Sequence, residues 1–260
     1  MSDVGRKGGS VAVALLMMWA GFLSASITLS PNVGAWTVVS GHITNDTVWN
    51  QSNSPYIVVD DIYVDYNVTL TIEWGVSVRF ETFVSLFVYG ELRILGDRNE
   101  RVILTSNLSM PSPGVWGNLT IKSGGKADVS YADVSYAADV QIYSDWNSFA
   151  NTKFSQILQG IIVYSSNNTF DKIIVDRSSF WGMWFGRFSS DNTIANSTIV
   201  NNGNQGILID RATVGYSKLY NSEIFGNRNG GIRAYGAQGW EIACNLFTAN
   251  DEYGLNLYDS

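Results

Sequence analysis

The sequence predicts an all-β chain wound as a parallel β-helix, and three observations carry that prediction. Five glycines, Gly160, Gly182, Gly206, Gly231 and Gly254, follow one another at intervals of 22, 24, 25 and 23 residues. Each opens an apolar-x-apolar triplet, from Ile161/Val163 through Met183/Phe185, Ile207/Ile209 and Ile232/Ala234 to Leu255/Leu257. Asn202, Asn227 and Asn250 stand four residues before the last three glycines, with Ile199, Ile224 and Phe247 seven before and Ile194, Leu219 and Ile242 twelve before. A period in the low twenties made of short alternating runs describes a solenoid with one coil per repeat. Runs such as Gly206–Asp210 are too short and too β-branched for amphipathic helices. A three-residue strand buries little alone, so it must stack on its equivalent one coil away, at about 4.8 Å. Stacked asparagines pass amide hydrogen bonds along the axis and tolerate left-handed corners.

The first 35 residues have the order of a secretory signal peptide. Arg6 and Lys7 precede an uncharged apolar stretch from Val11 to Leu23, followed by Ser24, Ala25 and Ser26, with Ala35 a second cleavage point. An uncleaved anchor is the alternative, although the apolar core is short for a membrane span. Residues 36–260 read as one β-helix domain of about nine or ten coils, roughly 45 Å long. It starts with Trp36–Val39 and a polar, turn-rich stretch to residue 55. Alternating runs follow: Tyr56–Val59, Ile62–Val64, Leu70–Ile72, Val76–Phe80, Leu86–Val88, Leu92–Ile94 and Val102–Thr105. Pro111, Pro113 and Gly114 mark a loop before Val115–Ile121, and Val129/Tyr131 and Val134/Tyr136 lead into the repeats.

The segment from Pro55 to Phe80, with Thr69-Leu-Thr-Ile-Glu73 and Gly75-Val-Ser-Val-Arg-Phe80, resembles the opening coils of secreted right-handed β-helix proteins of archaea and bacteria. Tyr89-Gly-Glu-Leu92, Ile103-Leu-Thr-Ser106 and Gly114-Val-Trp-Gly117 continue the resemblance, while Asn67 and Trp74 stand where that pattern has Gly and Pro. The Asn/Gly repeats resemble those of the pectate-lyase-like superfamily, including NosD-type periplasmic proteins. This resemblance implies a right-handed β-helix and leaves activity open, because the fold serves lyases, hydrolases, adhesins and scaffolds.

The chemistry is sparse. One histidine, His42, one cysteine, Cys244, and Met110 and Met183 beyond the leader leave too few soft ligands for a copper site or a nucleophile–base triad. No cofactor or metal is expected. Asp60, Asp61 and Asp65 lack a dense calcium-ligand frame. Cys244 stands in the column of Asn196 and Asn221 and reads as a small buried side chain. With one cysteine no internal disulfide forms. The formal net charge of −7 argues against nucleic acid and does not favour a polyanionic partner. Sequons at Asn45, Asn50, Asn67, Asn107, Asn118 and Asn167 are glycosylation candidates. A seventh, at Asn196, is assigned to a coil-to-coil column without room for a glycan.

The outward positions beside the glycine triplets gather Trp184, Tyr235 and Tyr258 near Asp210, Arg211 and Arg233, with Arg187 and Asp259 beyond. Aromatic planes with flanking polar groups bind sugar rings, so the three aromatics are the ligand-binding candidates. A carbohydrate-active lyase or hydrolase would use Asp210, Arg211 and Arg233, with Asp210 diagonal to Arg233 as an acid–base pair. The plainer alternative is an exposed sheet face stabilised by cross-strand pairs. The expectation is a secreted or cell-surface scaffold that contacts a polysaccharide or surface glycan. A polysaccharide lyase or glycoside hydrolase is the alternative. Membrane contact would run only through the leader. The last coil, opened at Gly254, exposes apolar positions, which calls for further coils or a partner there.

Overall fold

The computed structural model describes residues 36–210 and 215–258. The 1–35 leader, Arg211 and Asp259 lie outside these residues. Among the described residues no helix is long and apolar enough to cross a membrane.

Every strand pairing is parallel and joins positions one coil apart. The chain is a β-solenoid of about nine turns with about 23 residues per coil. Each coil contributes to three columns. The first runs from Thr47–Trp49 through Lys126–Ser130 to Trp240–Ala243 as a nine-stranded sheet. The second passes through Ser77–Phe80, Lys153–Ser155 and Leu246–Thr248. The third passes through Leu86–Val88, Gly160–Val163, Met183–Phe185 and Leu255–Tyr258. The long strand Tyr56–Val64 runs through both second and third columns and joins them into one sheet of eighteen strands.

Alternation decides which side chains face the axis. In Ile207–Asp210, Ile207 and Ile209 are fully buried while Leu208 and Asp210 face outward. Stacking places like on like: Phe149 lies over Phe170 with centroids 5.4 Å apart, and Phe80 over Trp116 at 4.2 Å. Trp116 donates its indole N–H to the Ser135 carbonyl at 2.6 Å, so its one polar group is satisfied in the core. The final coil differs. Leu255 and Leu257 are exposed, whereas Ile232 and Ala234, at the same positions in the coil before, are buried.

The glycine column is required by close approach. A Cβ on Gly182 would meet the Gly206 carbonyl oxygen at 2.5 Å, and one on Gly231 would strike the Gly254 carbonyl. Asparagine does a second job beside it. Asn202 donates its side-chain N–H to Asn227 Oδ1 at 2.9 Å, and Asn227 to Asn250 Oδ1 at 3.0 Å. A parallel ladder joins Asn147, Asn168 and Asn192.

These ladder asparagines are not the ones in left-handed conformation. Separate corner residues hold it: Tyr131, Asn151, Lys172, Asn196, Asn221 and Cys244 between the first and second columns, with φ between +50° and +56°. Each of the first four donates its backbone N–H to a carbonyl of the following coil, as Lys172 does to Ala195 at 3.0 Å. That bond offsets part of the strain of about 1–2 kcal/mol for a non-glycine residue there.

Two expectations are corrected by this geometry. Cys244 shares the Asn196/Asn221 column as read, but the corner points to solvent and its thiol is exposed. Asn196 is likewise exposed, with its amide on Asp171 Oδ1 at 2.7 Å, so the column leaves room around it.

Candidate functional site

The outward face of the third column carries the candidate residues. The register threads Tyr63, Phe87, Thr120, Gln141, Ile162, Trp184, Leu208, Arg233 and Asn256 in one row. Two residues further along each strand, Asp210, Tyr235 and Tyr258 form a second row. Trp184 and Tyr235 therefore stand on different rows and two coils apart. The residues expected to gather form two patches instead of one.

In the patch toward the end of the chain, the Tyr235 and Tyr258 rings stack at 5.1 Å with 15° between planes. Arg233 reaches Glu252 Oε2 at 3.6 Å and lies 5.3 Å from the Tyr253 ring. Among the described residues its ion-pair partner is Glu252; Asp210 faces Tyr235 along the ladder. The expected Asp210–Arg233 pair is thus not formed, because their positions on adjacent strands belong to different rows.

The other patch surrounds Trp184. Its ring meets Tyr164 edge-on at 5.8 Å and Trp181 at 5.1 Å, and Tyr164 stacks on Tyr143 at 5.1 Å. Phe180 extends the cluster from Trp181 at 5.9 Å. The Trp184 indole N–H is buried without an acceptor. Asp139 lies beside this cluster at the register position of Gly160, one coil before the glycine column begins. It is buried, accepts a hydrogen bond from Gln141 Nε2 at 3.0 Å on one oxygen, and has no donor on the other.

Burial pushes the Asp139 carboxyl above its usual range, against the smaller opposing effect of the Gln141 bond. Burial likewise raises the Tyr143 and Tyr164 hydroxyls, with the Asp139 charge adding to both. A carboxyl whose folded-state value is raised favours folding most when protonated. Its contribution is therefore full below the unfolded value of about 3.9 and is lost as pH rises through the folded value. Asp139→Asn keeps the acceptor for Gln141 and removes the charge. It is expected to raise the melting temperature at pH 7 and to narrow that gain as pH falls toward 4. A variant less stable than the parent at pH 7 would contradict this.

Tyr143, Trp181 and Asp139 were not among the residues selected from the sequence. Tyr143 stands 21 residues before Tyr164, and Asp139 the same distance before Gly160, so carrying the period one coil back finds both.

The remaining expected positions are scattered. His42 pairs with Asp65 through Nδ1 and Oδ1 at 2.8 Å and stacks on Tyr63 at 4.7 Å. Asp61 accepts from the Ser85 N–H and the Tyr63 hydroxyl. Among the described residues no group of three or more His, Cys, Asp or Glu is placed to hold a metal ion. Of the sequons, Asn45 and Asn67 are exposed, and Asn50, Asn107 and Asn167 are half-buried. Asn118 is half-buried with its Oδ1 covered and unpartnered.

Comparison with known proteins agrees with the geometry. A family model described as "Right handed beta helix region" matches residues 119–260, and one described as "Pectate-lyase like beta helix domain" matches residues 41–144. A 66-residue stretch is 38% identical to Protein bark beetle of Drosophila melanogaster, covering 25% of this chain and 2% of that protein. The crystal structure of the periplasmic alginate epimerase AlgG superposes with a TM-score of 0.48 at 12% identity. That alignment covers 86% of this chain and 65% of the epimerase. With more than half its length matched by one model, the chain belongs to the right-handed β-helix family.

Proposed function

We propose that this protein is an exported β-helix scaffold that contacts glycan through the outward face of its third column. The observation that carries the reading is the aromatic cluster of Tyr143, Tyr164, Trp181 and Trp184 beside the Asp139–Gln141 pair. Aromatic planes stack on the apolar faces of sugar rings, while a carboxyl and an amide select hydroxyl positions. Export is supported by the order of charged, apolar and small residues in the leader. The Tyr235/Tyr258 stack is a second, smaller platform on the same face.

The test is affinity electrophoresis of the full-length protein through a panel of neutral and acidic polysaccharides, scored together with release of reducing or unsaturated ends. Retention without products is expected, and Trp184→Ala is expected to weaken it about tenfold, the worth of one ring-stacking contact. Equal retention by parent and variant would reject the aromatic cluster as the contact.

A second reading, carbohydrate modification, is favoured by one observation, the Asp139 carboxyl held toward its neutral form beside open hydroxyl-bearing rings. Product release abolished by Asp139→Asn would establish it. Release abolished by Asp210→Asn instead would move the chemistry to the other patch.

A further inference from the structure

A surface groove of about 400 Å3 lies at a different corner of the solenoid, between the first and second columns. Tyr131, Asn151 and Lys172 occupy the same left-handed corner position in three successive coils and line it. Arg101, Lys153 and Lys172 bring three cations to the groove, against one lining carboxylate, Asp133. This is a local reversal of sign on a chain whose formal net charge is −7.

The cations are unequally committed. Arg101 is held rigidly: its Nε reaches Asp133 Oδ1 at 3.0 Å, and its Nη2 reaches the Ala132 and Asn151 carbonyls at 2.7 and 2.9 Å. Among the described residues its Nη1 makes no hydrogen bond to protein, which leaves two N–H donors on a fixed guanidinium. Lys172 has only a loose partner, Asp171 at 3.8 Å, and Lys153 has no ion-pair partner among the described residues. Lys153 faces Asp133 and Ile174 across the ladder, so the two ammonium groups rise from neighbouring coils about 4.8 Å apart along the axis. Tyr131 and the exposed Ile174 supply an apolar wall.

We propose that this groove binds an anionic sugar unit, its carboxylate or sulfate ester taken by Lys153, Lys172 and the free edge of Arg101, with the ring against Tyr131 and Ile174. The saccharide part rests on the glycan-contact reading above; the anion part rests on the groove alone. Acidic chains would then be held at a corner away from the aromatic cluster, by groups that neutral chains cannot use. Spare donors on a preorganised guanidinium, one unpaired ammonium group and one loosely paired one favour a fixed anion over mobile counterions.

The full-length protein would be run through gels carrying polygalacturonate, dextran sulfate or neutral dextran at about physiological salt, where surface charges act over only about 8 Å. Retention by one or both acidic polymers is expected, and which of them retains separates carboxylate from sulfate ester. The double substitution Lys153→Ala/Lys172→Ala should weaken that retention on the order of tenfold. The double substitution Lys153→Arg/Lys172→Arg should restore it. Lys218→Ala, which removes a lysine paired loosely with Glu241 on the first column, should leave it unchanged. Far-UV spectra and unfolding midpoints of the variants are compared with the parent to exclude loss of fold. The proposal is overturned if neither acidic polymer retains the parent, if the alanine pair retains it undiminished, or if Lys218→Ala costs as much as the pair. Loss of acidic retention in Trp184→Ala with the lysine pair silent would place all binding on the aromatic face. Neutral-chain binding that survives the lysine substitutions would leave the glycan-contact reading standing by itself.

Discussion

Asn227→Ala is expected to lower the unfolding free energy by about 4 kcal/mol, as the sum of several buried groups left without partners. Asn227 is fully buried between two coils. Its Oδ1 accepts from the backbone and side-chain N–H groups of Asn202 at 3.1 and 2.9 Å. Its amide donates to the Ile199 carbonyl at 3.1 Å and to Asn250 Oδ1 at 3.0 Å. Alanine strands the two Asn202 donors and the Ile199 carbonyl on the preceding coil, and leaves Asn250 Oδ1 on the following coil with only the backbone N–H of residue 227, where water reaches neither side cheaply. Only a side chain with a donor and an acceptor on one planar group can serve both neighbours. Asn221→Ala is the matched comparison, since Asn221 is exposed at a left-handed corner and loses only the asparagine preference for that conformation. Equilibrium denaturation should separate the two variants by several kcal/mol. Similar losses for both would mean that the buried ladder contributes nothing beyond the corner.

Gly182→Ala is expected to cost about 3 kcal/mol, at the upper end for an overpacked core position. The added methyl would sit 2.5 Å from the Gly206 carbonyl oxygen, 2.7 Å from Ile199 Cγ2 and 2.8 Å from Asn202 Nδ2. The first of these is backbone, so relief requires the strand Met183–Phe185 to move from its neighbour. That movement would stretch the Met183 N–H bond to the Gly206 carbonyl, now 2.9 Å. Gly41→Ala tests conformation without crowding. Nothing lies within 4 Å of its added Cβ, but its φ is +79°, so about 1 kcal/mol is expected from the backbone alone. Thermal or chemical unfolding of the pair checks the ranking, and a Gly182→Ala variant as stable as Gly41→Ala would refute the close-approach account.

These two positions also show why the fold was legible. The glycine column repeats because any Cβ would strike the next coil, and the Asn202–Asn227–Asn250 column repeats because a short amide accepts from the coil before and donates to the coil after. Stacking turns each requirement into a period that can be read directly from the residues. The left-handed corners left no such trace. Their backbone N–H groups bond to the following coil whatever the side chain, so Tyr131, Lys172 and Arg177 hold positions that Gly or Asn would be expected to fill. Asparagine was expected to serve ladder and corner together, and the two roles fall on separate residues.

The candidate site was legible one residue at a time and illegible as a constellation. Alternation placed Trp184, Arg233, Tyr235 and Tyr258 on the outward face, and the register leaves them there. Which of them meet depends on row and coil: Trp184 is carried to Tyr164 and Trp181, and Arg233 to Glu252 and Tyr253. Burial is decided the same way. Cys244 is exposed and Asp139 covered, against what a small apolar thiol and a charged carboxylate suggest individually.

By itself, then, the sequence determined what repetition enforces: an all-β solenoid, the coil length, the inward and outward faces, and the glycine and asparagine columns. The tertiary structure alone decided which outward groups become neighbours, which polar atoms lose their partners, and where cations collect on an acidic chain. Periodic requirements act identically in every coil and so leave a pattern along the chain. A site is made where one coil differs from the next, and that difference takes its meaning from what the register brings beside it.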